Sequence, residues 1–459
     1  MSIENIIIKM QEFECFLPWV GFLGLALLVA FHFLIRKNSP KKRKTRQLHI
    51  GKKKKTHGII FGRKGKKLVY SPVDSEGHVF CVAPSGAGKT SAVLIPTLRS
   101  WTGGAFVIDI SGDISKNVNI PGKLVFAPGS PDTAPYNVFA SIDAIQSENE
   151  RLEALEGLAL LLMPNNPHAA DAARFFNTEG RKILTAALIA FYGKGLDFIE
   201  ICEKIISTPC NDLLLDIQET QNQAALRYIN GFRGISTSQN TLGCKQAADA
   251  AVSLFATNDV IKSSIRRPLP GELAFSPESL EYRSCFVVID DTKLELYGQL
   301  LGLCVSQVLQ YIAQRPLQNK KNILLALDEF AAFGYLDGIC GTLERCRKRH
   351  TRIIALVQGI PNIRRIYDEQ TTTAMLANFR FKVCLGADDI DTQRIIAETV
   401  GHENIKKISR TRGKSSSTTE SESREYVIEP STLGRLGTSL LLIHPDGHMF
   451  LEKNFYFKK

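Results

Sequence analysis

The stretch VAPSGAGKTSAVLIPT, residues 82–97, decides the fold class of this chain. A short apolar run leads into a glycine-rich turn, and the turn leads directly into an apolar helical pattern. Residues 83–90, APSGAGKT, match the phosphate-loop pattern except that Ala83 stands where the first glycine is expected. Such a loop wraps its backbone N–H groups around phosphate oxygens at the N-terminus of the following helix. The stretch therefore predicts a site for a nucleoside triphosphate.

The residue types of this loop assign the expected contacts. We expect Lys89 to contact the β- and γ-phosphates, and we expect the Thr90 hydroxyl to be a ligand of Mg²⁺. Gly86 and Gly88 leave room for the backbone N–H groups to approach the phosphates. ATP and Mg²⁺ are therefore the predicted cofactors. The residues predicted to surround the phosphates are Pro84, Ser85, Gly86, Ala87, Gly88, Lys89, Thr90 and Ser91.

A second hydrophobic run supplies the acids that such a site requires. The run NILLALDEF, residues 322–330, contains Asp328 and Glu329 at its polar end. We predict that Asp328 holds Mg²⁺ through water and that Glu329 orients and deprotonates the attacking water. A carboxylate directly after the metal-holding Asp favours hydrolysis over phosphotransfer. The run FVVIDD, residues 286–291, also ends in acids, which either serve the same purpose or cap the end of a strand.

Two further polar side chains complete the predicted catalytic set. Gln358 ends the run RIIALVQ. In RecA-like ATPases a strand between the phosphate-loop strand and the acid strand carries a polar tip that faces the γ-phosphate, and we predict this position for Gln358; a simple strand-to-loop polar residue is the alternative. Three arginines alternate in LERCRKRHTR, and Arg347 among them is the candidate arginine finger for a neighbouring subunit's γ-phosphate. A merely solvated helix face is the alternative there.

The apolar runs alternate with helical stretches, which predicts an α/β fold. Most runs are continuously apolar, as in parallel strands covered on both faces, so we expect a doubly wound, mainly parallel sheet of the RecA-like phosphate-loop type. Residues 68–139 and 276–459 form the two parts of this nucleotide-binding domain, and residues 140–275 predict an inserted all-α domain. Within the second part, the polar segment 408–425 predicts a mobile loop, and two strands about a Pro-Asp-Gly turn follow it. The strand candidates before it are HVFCVAP, GAFVIDI, KLVFAPG, SCFVVIDD, NILLALDEF, RIIALVQ and FKVCLG.

The N-terminal region, residues 1–35, predicts a membrane anchor. Phe16 to Ile35 are twenty residues without an acid, Lys or Arg, long enough to cross a hydrocarbon core of about 30 Å as one transmembrane helix; a buried core helix is the alternative. Fifteen Lys and Arg and no acid follow in residues 36–67, a predicted basic juxtamembrane linker. The positive-inside bias places the N-terminus outside and the body in the cytoplasm, at the inner or plasma membrane. The net charge of +11 is concentrated in this linker, so the near-neutral body gives little independent indication of DNA binding.

The pattern of the ten cysteines argues against both a zinc site and a disulfide-bonded domain. They form no CxxC pair and no cluster with histidines, which disfavours a zinc site. Several lie inside apolar runs, such as Cys81 and Cys285, where a cysteine behaves as a small hydrophobic residue. We therefore predict free, buried thiols in a reducing compartment.

Four further motifs share the pattern of one family. FVIDISGDI has a DPKGE-like strand end with Asp109, Gly112 and Asp113, FFNTEGRKIL is similar to the opening of the family's all-α domain, and ALDEFAAFG is similar to its acid motif. The family's Asn…Lys…Gly-x-x-Asp-x-x-Thr signature is matched by Asn378, Lys382, Gly386, Asp389 and Thr392. Over nearly its whole length the chain thus resembles the coupling proteins of type IV secretion and conjugation systems, the TraG/TraD type. It departs from their pattern at Ala83, at Ser111 where Lys is frequent, and in showing one membrane span where many members have two.

The resemblance implies a function. It implies a homo-hexameric, membrane-anchored ATPase at the cytoplasmic mouth of a secretion channel, with type IV secretion channel proteins as partners. Such a protein would receive a relaxase–DNA complex through its helical domain and use ATP to move single-stranded DNA or protein outward. Two alternatives remain open from the residues: an anchored adaptor whose ATP site acts as a switch, and an FtsK-like double-stranded DNA translocase. Glu329 disfavours the adaptor, because a switch does not need a water-activating acid.

Overall fold

A computed structural model of the chain describes residues 48–51, 58–71, 77–110, 112–165, 169–232, 239–336, 338–411 and 417–457, with the backbone alone at 408–411 and 417–419. These residues build one large sheet, one small sheet and the helices that cover them. The strands are β1 (His49–Gly51), β2 (Ile60–Lys64), β3 (Lys67–Tyr70), β4 (Val79–Val82), β5 (Gly104–Ile110), β6 (Leu124–Phe126), β7 (Cys285–Ile289), β8 (Ile323–Leu327), β9 (Thr351–Val357), β10 (Phe381–Cys384), β11 (His402–Thr411), β12 (Ser417–Tyr426), β13 (Ser439–His444) and β14 (Gly447–Glu452).

The large sheet has twelve strands in the order β1-β3-β2-β14-β13-β10-β4-β9-β8-β5-β7-β6. The strands from β10 to β6 are mutually parallel, and the strands from β1 to β13 pair antiparallel with their neighbours. All seven apolar runs quoted above become the parallel strands. The prediction of a doubly wound, mainly parallel, RecA-like sheet is confirmed.

Helices cover both faces of the sheet. They are α1 (Lys89–Leu94, with π-helical turns, continuing as Ile95–Leu98), α2 (Asp113–Asn117), α3 (Ala140–Asp143), α4 (Glu148–Leu162), α5 (Asp171–Tyr192), α6 (Phe198–Ser207), α7 (Cys210–Glu219), α8 (Gln223–Ile229), α9 (Gln239–Thr257), α10 (Asp259–Ser264), α11 (Gly298–Gln314), α12 (Ile339–Arg347), α13 (Ile360–Arg364), α14 (Glu369–Asn378) and α15 (Ile390–Val400). Short 3₁₀ segments lie at Asn230–Phe232, Pro277–Glu281, Asp291–Lys293, Phe330–Phe333 and Pro430–Arg435.

The central strands are buried on both faces, which explains their continuous apolar sequence. Along β4, Phe80 and Val82 pack into one hydrophobic core, and Val79 and Cys81 pack into the core on the other face. Every residue of β4, β8 and β9 is buried. These central strands therefore form a water-free layer that fixes where the loops at their carboxyl ends lie.

The helices from α3 to α10 lie between β6 and β7, and in the described part of residues 140–275 the structure has no strand. The long helices α5 and α9 pack against each other, and residues 183–191 of α5 are all buried. Helix α6 begins with a capping box, in which the Asp197 carboxylate accepts from the Glu200 N–H and Glu200 accepts from the Asp197 N–H. These helices have their own apolar interior, joined to the core on one face of the sheet.

Two segments differ from their predictions. Within the segment 408–425, predicted as a mobile loop, the described residues 408–411 and 417–425 instead belong to the antiparallel strands β11 and β12. Their polar composition argues against burial, but a solvated two-stranded ribbon needs no apolar face, and backbone hydrogen bonds between its strands hold it together.

Residues 49–51 and 60–64, predicted as part of a basic linker, are β1 and β2 of the large sheet. The buried side chains of Ile59, Ile60 and Phe61 anchor this segment, while the charged ends of β2 and β3 remain exposed.

Two further predictions concern the N-terminus and the cysteines. The span predicted at Phe16–Ile35 lies outside the described residues. Within the part of the chain that the structure describes, no helix is both long enough and apolar enough to cross a membrane. The nine described cysteines are free thiols, and all but Cys340 are buried, as predicted.

Candidate nucleotide-binding site

The carboxyl ends of three adjacent strands bring the predicted site residues to one edge of the sheet. Val82 at the end of β4 lies beside Val357 at the end of β9, and Leu327 at the end of β8 lies beside Ala355. The phosphate loop follows β4, Gln358 follows β9, and Asp328 follows β8. Strand β9 lies between β4 and β8, which is the position that the RecA-like pattern predicts for the strand ending in Gln358.

The backbone of the phosphate loop explains both its glycines and its alanine. Gly86 and Gly88 have φ values of 75° and 99°, in the left-handed region that residues with a Cβ rarely adopt. A Cβ on Gly88 would also lie 2.8 Å from the Phe455 ring. Ala83, in contrast, contributes through its carbonyl oxygen, which accepts a 3.1 Å hydrogen bond from Lys89 Nζ. A backbone carbonyl is available from any residue, so alanine suffices where the pattern has its first glycine.

The acid strand meets the loop through two direct contacts. Lys89 Nζ donates to Glu329 Oε1 at 3.1 Å, and Thr90 Oγ1 donates to Asp328 Oδ2 at 3.4 Å. Glu329 has a φ of 49°, a strained left-handed conformation for a residue with a side chain. This turn directs the Glu329 carboxylate into the cleft directly after the end of β8. The four residues predicted to bind and hydrolyse the nucleotide are therefore neighbours in the fold.

Asp328 has the properties expected of a cation ligand. It is 5% exposed, and its Oδ1 is buried without a hydrogen-bond partner. Burial, with the adjacent Glu329 charge, raises the pKa of Asp328 to about 7, against the opposing effect of Lys89. In the described residues no group of three or more His, Cys, Asp or Glu could hold a metal without further ligands. Mg²⁺ does not need such a group, because it prefers oxygen ligands and completes its shell with water and phosphate. The orphaned Asp328 oxygen and the Thr90 hydroxyl fit such an ion.

These residues line an open cleft of about 440 Å³. Gln358 is exposed and lines the cleft, as the predicted sensing position requires. The cleft contains every residue of the predicted phosphate site except Ala87. Its lining residues are Pro84, Ser85, Gly86, Gly88, Lys89, Thr90, Ser91, Ile95, Ile110, Asp113, Asp291, Leu294, Asp328, Glu329, Gln358, Tyr456 and Phe457.

The other candidate acids have structural roles. The Asp290 carboxylate accepts from the N–H and the hydroxyl of Thr292 and begins a 3₁₀ turn, as its cap alternative predicted. Asp291 lines the cleft. Asp109 is fully buried, and its carboxylate accepts from the N–H groups of Ile114 and Ser115 at 3.0 and 2.6 Å. Burial raises the pKa of Asp109, and its hydrogen bonds hold α2 beside the cleft.

Arg347 lies away from this chain's own phosphate loop. It is the last residue of α12, close enough to His78 to lower the pKa of that histidine, although burial is the main cause of the shift to about 4. His78 precedes β4 and contacts the Leu343 carbonyl at 2.8 Å. Arg347 therefore lies near the start of β4, whereas the phosphate loop follows its end. Arg347 does not join the cleft within one subunit.

Two residues of the family signature, Asp389 and Thr392, support the loop that carries Gln358. The Asp389 carboxylate accepts from the Thr392 N–H at 2.7 Å, and Thr392 Oγ1 accepts from the Ile360 N–H at 2.8 Å. Ile360 is two residues beyond Gln358. Asn378 and Lys382 donate to backbone carbonyls of their own neighbourhood, Cys340 and Phe379. This signature therefore positions the edge of the site and contributes no side chain to the cleft lining.

Sequence reasoning missed the C-terminal segment Lys453–Phe457, which lies against the phosphate loop. Lys453 Nζ donates to the Ala87 carbonyl at 3.0 Å, and the Tyr456 N–H donates to the Ser91 carbonyl at 3.0 Å. Tyr456 and Phe457 line the cleft. The aromatic cluster NFYF directly after the last strand was the available signal, but nothing in the sequence links it to a loop some 360 residues earlier.

Comparison with known families agrees with this geometry. Residues 66–454 match the family model described as the type IV secretion-system coupling protein DNA-binding domain. The chain belongs to the type IV secretion-system coupling proteins. The match includes the phosphate loop, the acid strand, the helical insertion and the last strand of the sheet. The family resemblance found in the sequence is confirmed.

Known coupling proteins are similar in sequence at modest identity. Protein VirD4 of Agrobacterium fabrum is 25% identical over 368 residues, covering 76% of this chain and 53% of the relative. The VirD4 coupling protein of Bartonella henselae is 22% identical over 418 residues, covering 83% of this chain and 63% of the relative. The conjugal transfer protein TraG of Agrobacterium fabrum is 22% identical, covering 84% and 61%. The chain thus spans between about half and three fifths of the length of these coupling proteins.

Solved coupling-protein structures share the fold. The bacterial conjugative coupling protein TrwB superposes with a TM-score of 0.68 at 18% identity, covering 85% of this chain and 87% of that chain. A structure of TrwB in complex with ADP and Mg²⁺ superposes with a TM-score of 0.66, covering 83% and 85%. The RecA-like nucleotide-binding fold is therefore established for this coupling protein.

Proposed function

We propose that this chain is a membrane-anchored ATPase that couples a relaxase–DNA or protein substrate to a type IV secretion channel and drives conjugative transfer by ATP hydrolysis. The observation that carries the proposal is the convergence of Lys89, Thr90, Asp328 and Glu329 in one cleft. Nucleotide hydrolysis requires a phosphate-binding loop, ligands for the metal and an acid that activates water, and these residues supply all three. Membership of the coupling-protein family supplies the substrate class.

The residues divide the chemistry between them. Bound ATP with Mg²⁺ supplies the phosphoanhydride bond, and Thr90 and Asp328 are the residues that would hold the metal. Glu329 orients a water and accepts its proton, as a general base within the cleft. Lys89 neutralises Glu329 at 3.1 Å; when Lys89 turns to phosphate oxygens, the carboxylate is released for the proton. Gln358 contacts the phosphate end of the cleft and reports its occupancy to the loop before α13.

Assembly and partners follow from the same proposal. The active form is a homo-hexamer in which Arg347 of one subunit reaches the nucleotide of the next, since Arg347 cannot serve its own cleft. Structures of TrwB with the ATP analogue ADPNP and with ADP and Mg²⁺ support the same ligands here. Single-stranded DNA, the relaxase and channel proteins are the proposed partners, in keeping with the description of the matching domain.

The proposed location is the inner or plasma membrane. Phe16 to Ile35 form the single span, the N-terminus lies outside, and the twelve-stranded body lies in the cytoplasm. The uncharged span and the basic residues that follow it in residues 36–67 support this orientation. In this arrangement the nucleotide site works beneath the membrane at the channel entrance.

The test measures ATP hydrolysis by the full-length chain in detergent, with and without single-stranded DNA. We expect turnover that single-stranded DNA stimulates and that Lys89→Ala and Glu329→Gln abolish. Lys182→Ala, at a partly exposed ion pair with Glu179 on α5 and outside the cleft lining, is the matched control and retains turnover. Normal conjugative transfer by a Glu329→Gln strain would reject the motor and favour the adaptor. Stimulation by double-stranded DNA alone would favour the FtsK-like translocase.

A further inference from the structure

We propose that the C-terminal aromatic segment Lys453–Phe457 forms the nucleoside-binding wall of the cleft, with the Phe457 ring as the surface on which the base stacks. This inference rests on the proposed nucleotide site and adds a subsite to it. The ligand chemistry is a planar, aromatic nucleobase attached to a triphosphate.

The segment is fixed to the phosphate loop and the start of α1 by three contacts, none of which involves the Phe457 ring. The Tyr456 N–H donates to the Ser91 carbonyl at 3.0 Å, and Lys453 Nζ donates to the Ala87 carbonyl at 3.0 Å. The Phe455 ring lies directly against Gly88, where a Cβ would come within 2.8 Å. Because these contacts involve the loop itself, the segment has a defined position relative to any bound phosphate.

The backbone bond between Tyr456 and Ser91 places the aromatic segment beside the residue that follows Thr90, where we infer that the nucleoside leaves the loop. Lys89 and Glu329, which contact each other, mark the γ-phosphate end of the proposed site, because Lys89 would bind the terminal phosphates there and Glu329 the attacking water. The chain of phosphates therefore runs from that end toward Ser91, the residue after the Mg²⁺ ligand Thr90. The Tyr456 N–H donates to the Ser91 carbonyl, and Tyr456 and Phe457 both line the cleft.

The rings are braced as a stacking surface. The Phe455 and Phe457 rings stack with centroids 5.3 Å apart at 29°, and Tyr456 packs edge-on against Phe457 at 5.2 Å. Arg99 lies over the Tyr456 ring, 4.7 Å from its centroid. Phe457 is nevertheless 61% exposed, so its apolar surface is supported on one side and open on the other. Large exposed aromatic rings beside a polar cleft are suited to planar ligands.

The wall predicts binding without strong discrimination between bases. Among the described residues that line the cleft, the one side-chain amide is Gln358, at the phosphate end. Stacking on an aromatic ring tolerates every base because each base has a π-face. ATP and GTP are therefore expected to use the wall alike, whereas inorganic tripolyphosphate, which has no base, does not use it.

The experiment compares the binding of ATP, GTP and inorganic tripolyphosphate to the full-length chain by calorimetry. We expect Phe457→Ala to weaken ATP and GTP binding roughly fivefold to a hundredfold, the range for losing one base–aromatic stack, and to leave tripolyphosphate binding unchanged. Phe457→Trp restores nucleotide affinity. Phe450→Ala is the matched control, because Phe450 is an exposed phenylalanine on β14 that lies outside the cleft lining.

The outcomes separate this inference from the function on which it rests. Equal loss of ATP and tripolyphosphate in Phe457→Ala would overturn the wall, since the segment would then only shape the loop. Unchanged ATP affinity in Phe457→Ala, with tripolyphosphate binding still dependent on Lys89, would also overturn the wall and leave the proposed function intact. Failure of the unmodified chain to bind either ligand would overturn both.

Discussion

Lys89 Nζ lies 3.1 Å from Glu329 Oε1, so the cation of the phosphate loop is in contact with the acid that ends strand β8. The two residues are 240 positions apart in sequence, and the parallel order of β4, β9 and β8 brings them together. Lys89 is 7% exposed and Glu329 is 23% exposed, so this pair is partly shielded from water. The two residues have separate roles that can be tested separately: Lys89 binds phosphate, and Glu329 activates water.

Lys89→Ala and Glu329→Gln are expected to fail at different steps. Lys89→Ala removes the positive charge at the phosphates, so ATP affinity and turnover both fall, turnover by about 100-fold or more. Glu329→Gln removes the base but keeps the shape, so ATP binding persists while turnover falls by about 100- to 10,000-fold. Parallel binding and single-turnover measurements check this. Loss of ATP affinity in Glu329→Gln comparable to that in Lys89→Ala would contradict the division.

The φ of 49° at Glu329 predicts a stability difference between two substitutions that both abolish the carboxylate. Glu329→Gly and Glu329→Ala lose the same pair with Lys89, so that loss cancels in the comparison. Glycine adopts the left-handed region freely and alanine does not, so Glu329→Gly should have the larger free energy of unfolding, by about 1 kcal/mol. Urea unfolding of the two variants measures the difference. Equal stability would mean that this turn carries no strain.

The raised pKa of Asp328, about 7, predicts a pH dependence of stability in the absence of Mg²⁺. Between its ordinary value of 3.8 and about 7, the folded protein binds a proton that the unfolded chain has lost. The contribution of Asp328 to stability therefore decreases as the pH rises through this window and is constant above it. Glu329 and Asp109 raise this pKa further, and Lys89 opposes them.

Asp328→Asn removes this titration. Relative to the unmodified chain, we expect the variant to gain stability between pH 5 and pH 8, by about 3 kcal/mol at most. Thermal unfolding of both proteins across that pH range, without Mg²⁺, checks the sign of the stability change. Asp109 is left unchanged in both, because its charge also raises the Asp328 pKa. A relative loss of stability for Asp328→Asn as the pH rises would show that the Asp328 pKa is not raised.

Arg347 predicts complementation between subunits, because it lies near the start of β4 and the phosphate loop follows its end. We expect Arg347→Ala to keep ATP affinity and lose turnover. Mixing Arg347→Ala with Lys89→Ala should restore part of the turnover, since some interfaces then pair an intact arginine with an intact loop. Arg345→Ala is the control, as Arg345 is exposed on the same helix. Mixtures without any recovery would reject the finger.

The buried pair of Arg315 and Glu281 predicts a large stability effect outside the site. Arg315 is fully buried, donates to both Glu281 oxygens at 2.5 and 2.9 Å and donates to the Arg349 carbonyl at 2.8 Å. Arg315→Met leaves Glu281 without its cation and should cost about 3–5 kcal/mol. Lys406→Met breaks an exposed pair with Glu422 and should cost about 1 kcal/mol or less. Urea unfolding compares the two variants.

Local patterns in the sequence were sufficient for the parallel part of the sheet. Strands such as β8 and β9 are buried on both faces, and burial leaves a continuous apolar run that is visible without any tertiary information. The polar residue after each run is equally visible, which is why Asp328, Glu329 and Gln358 could be named. The hairpin of β11 and β12 was missed because strand pairing in solvent depends on backbone hydrogen bonds, which leave no apolar pattern.

The sequence by itself determined the phosphate loop, the acid strand and the family, because each depends on residues adjacent in the chain. Only the tertiary structure decided which distant segments meet. It showed that Lys89 contacts Glu329, that Arg347 is remote from its own loop, and that Tyr456 and Phe457 lie against Ser91. The physical reason is that strand order and the docking of the C-terminal segment arise from packing across the whole sheet, and a local sequence pattern does not encode which partner a buried strand or an aromatic segment will find.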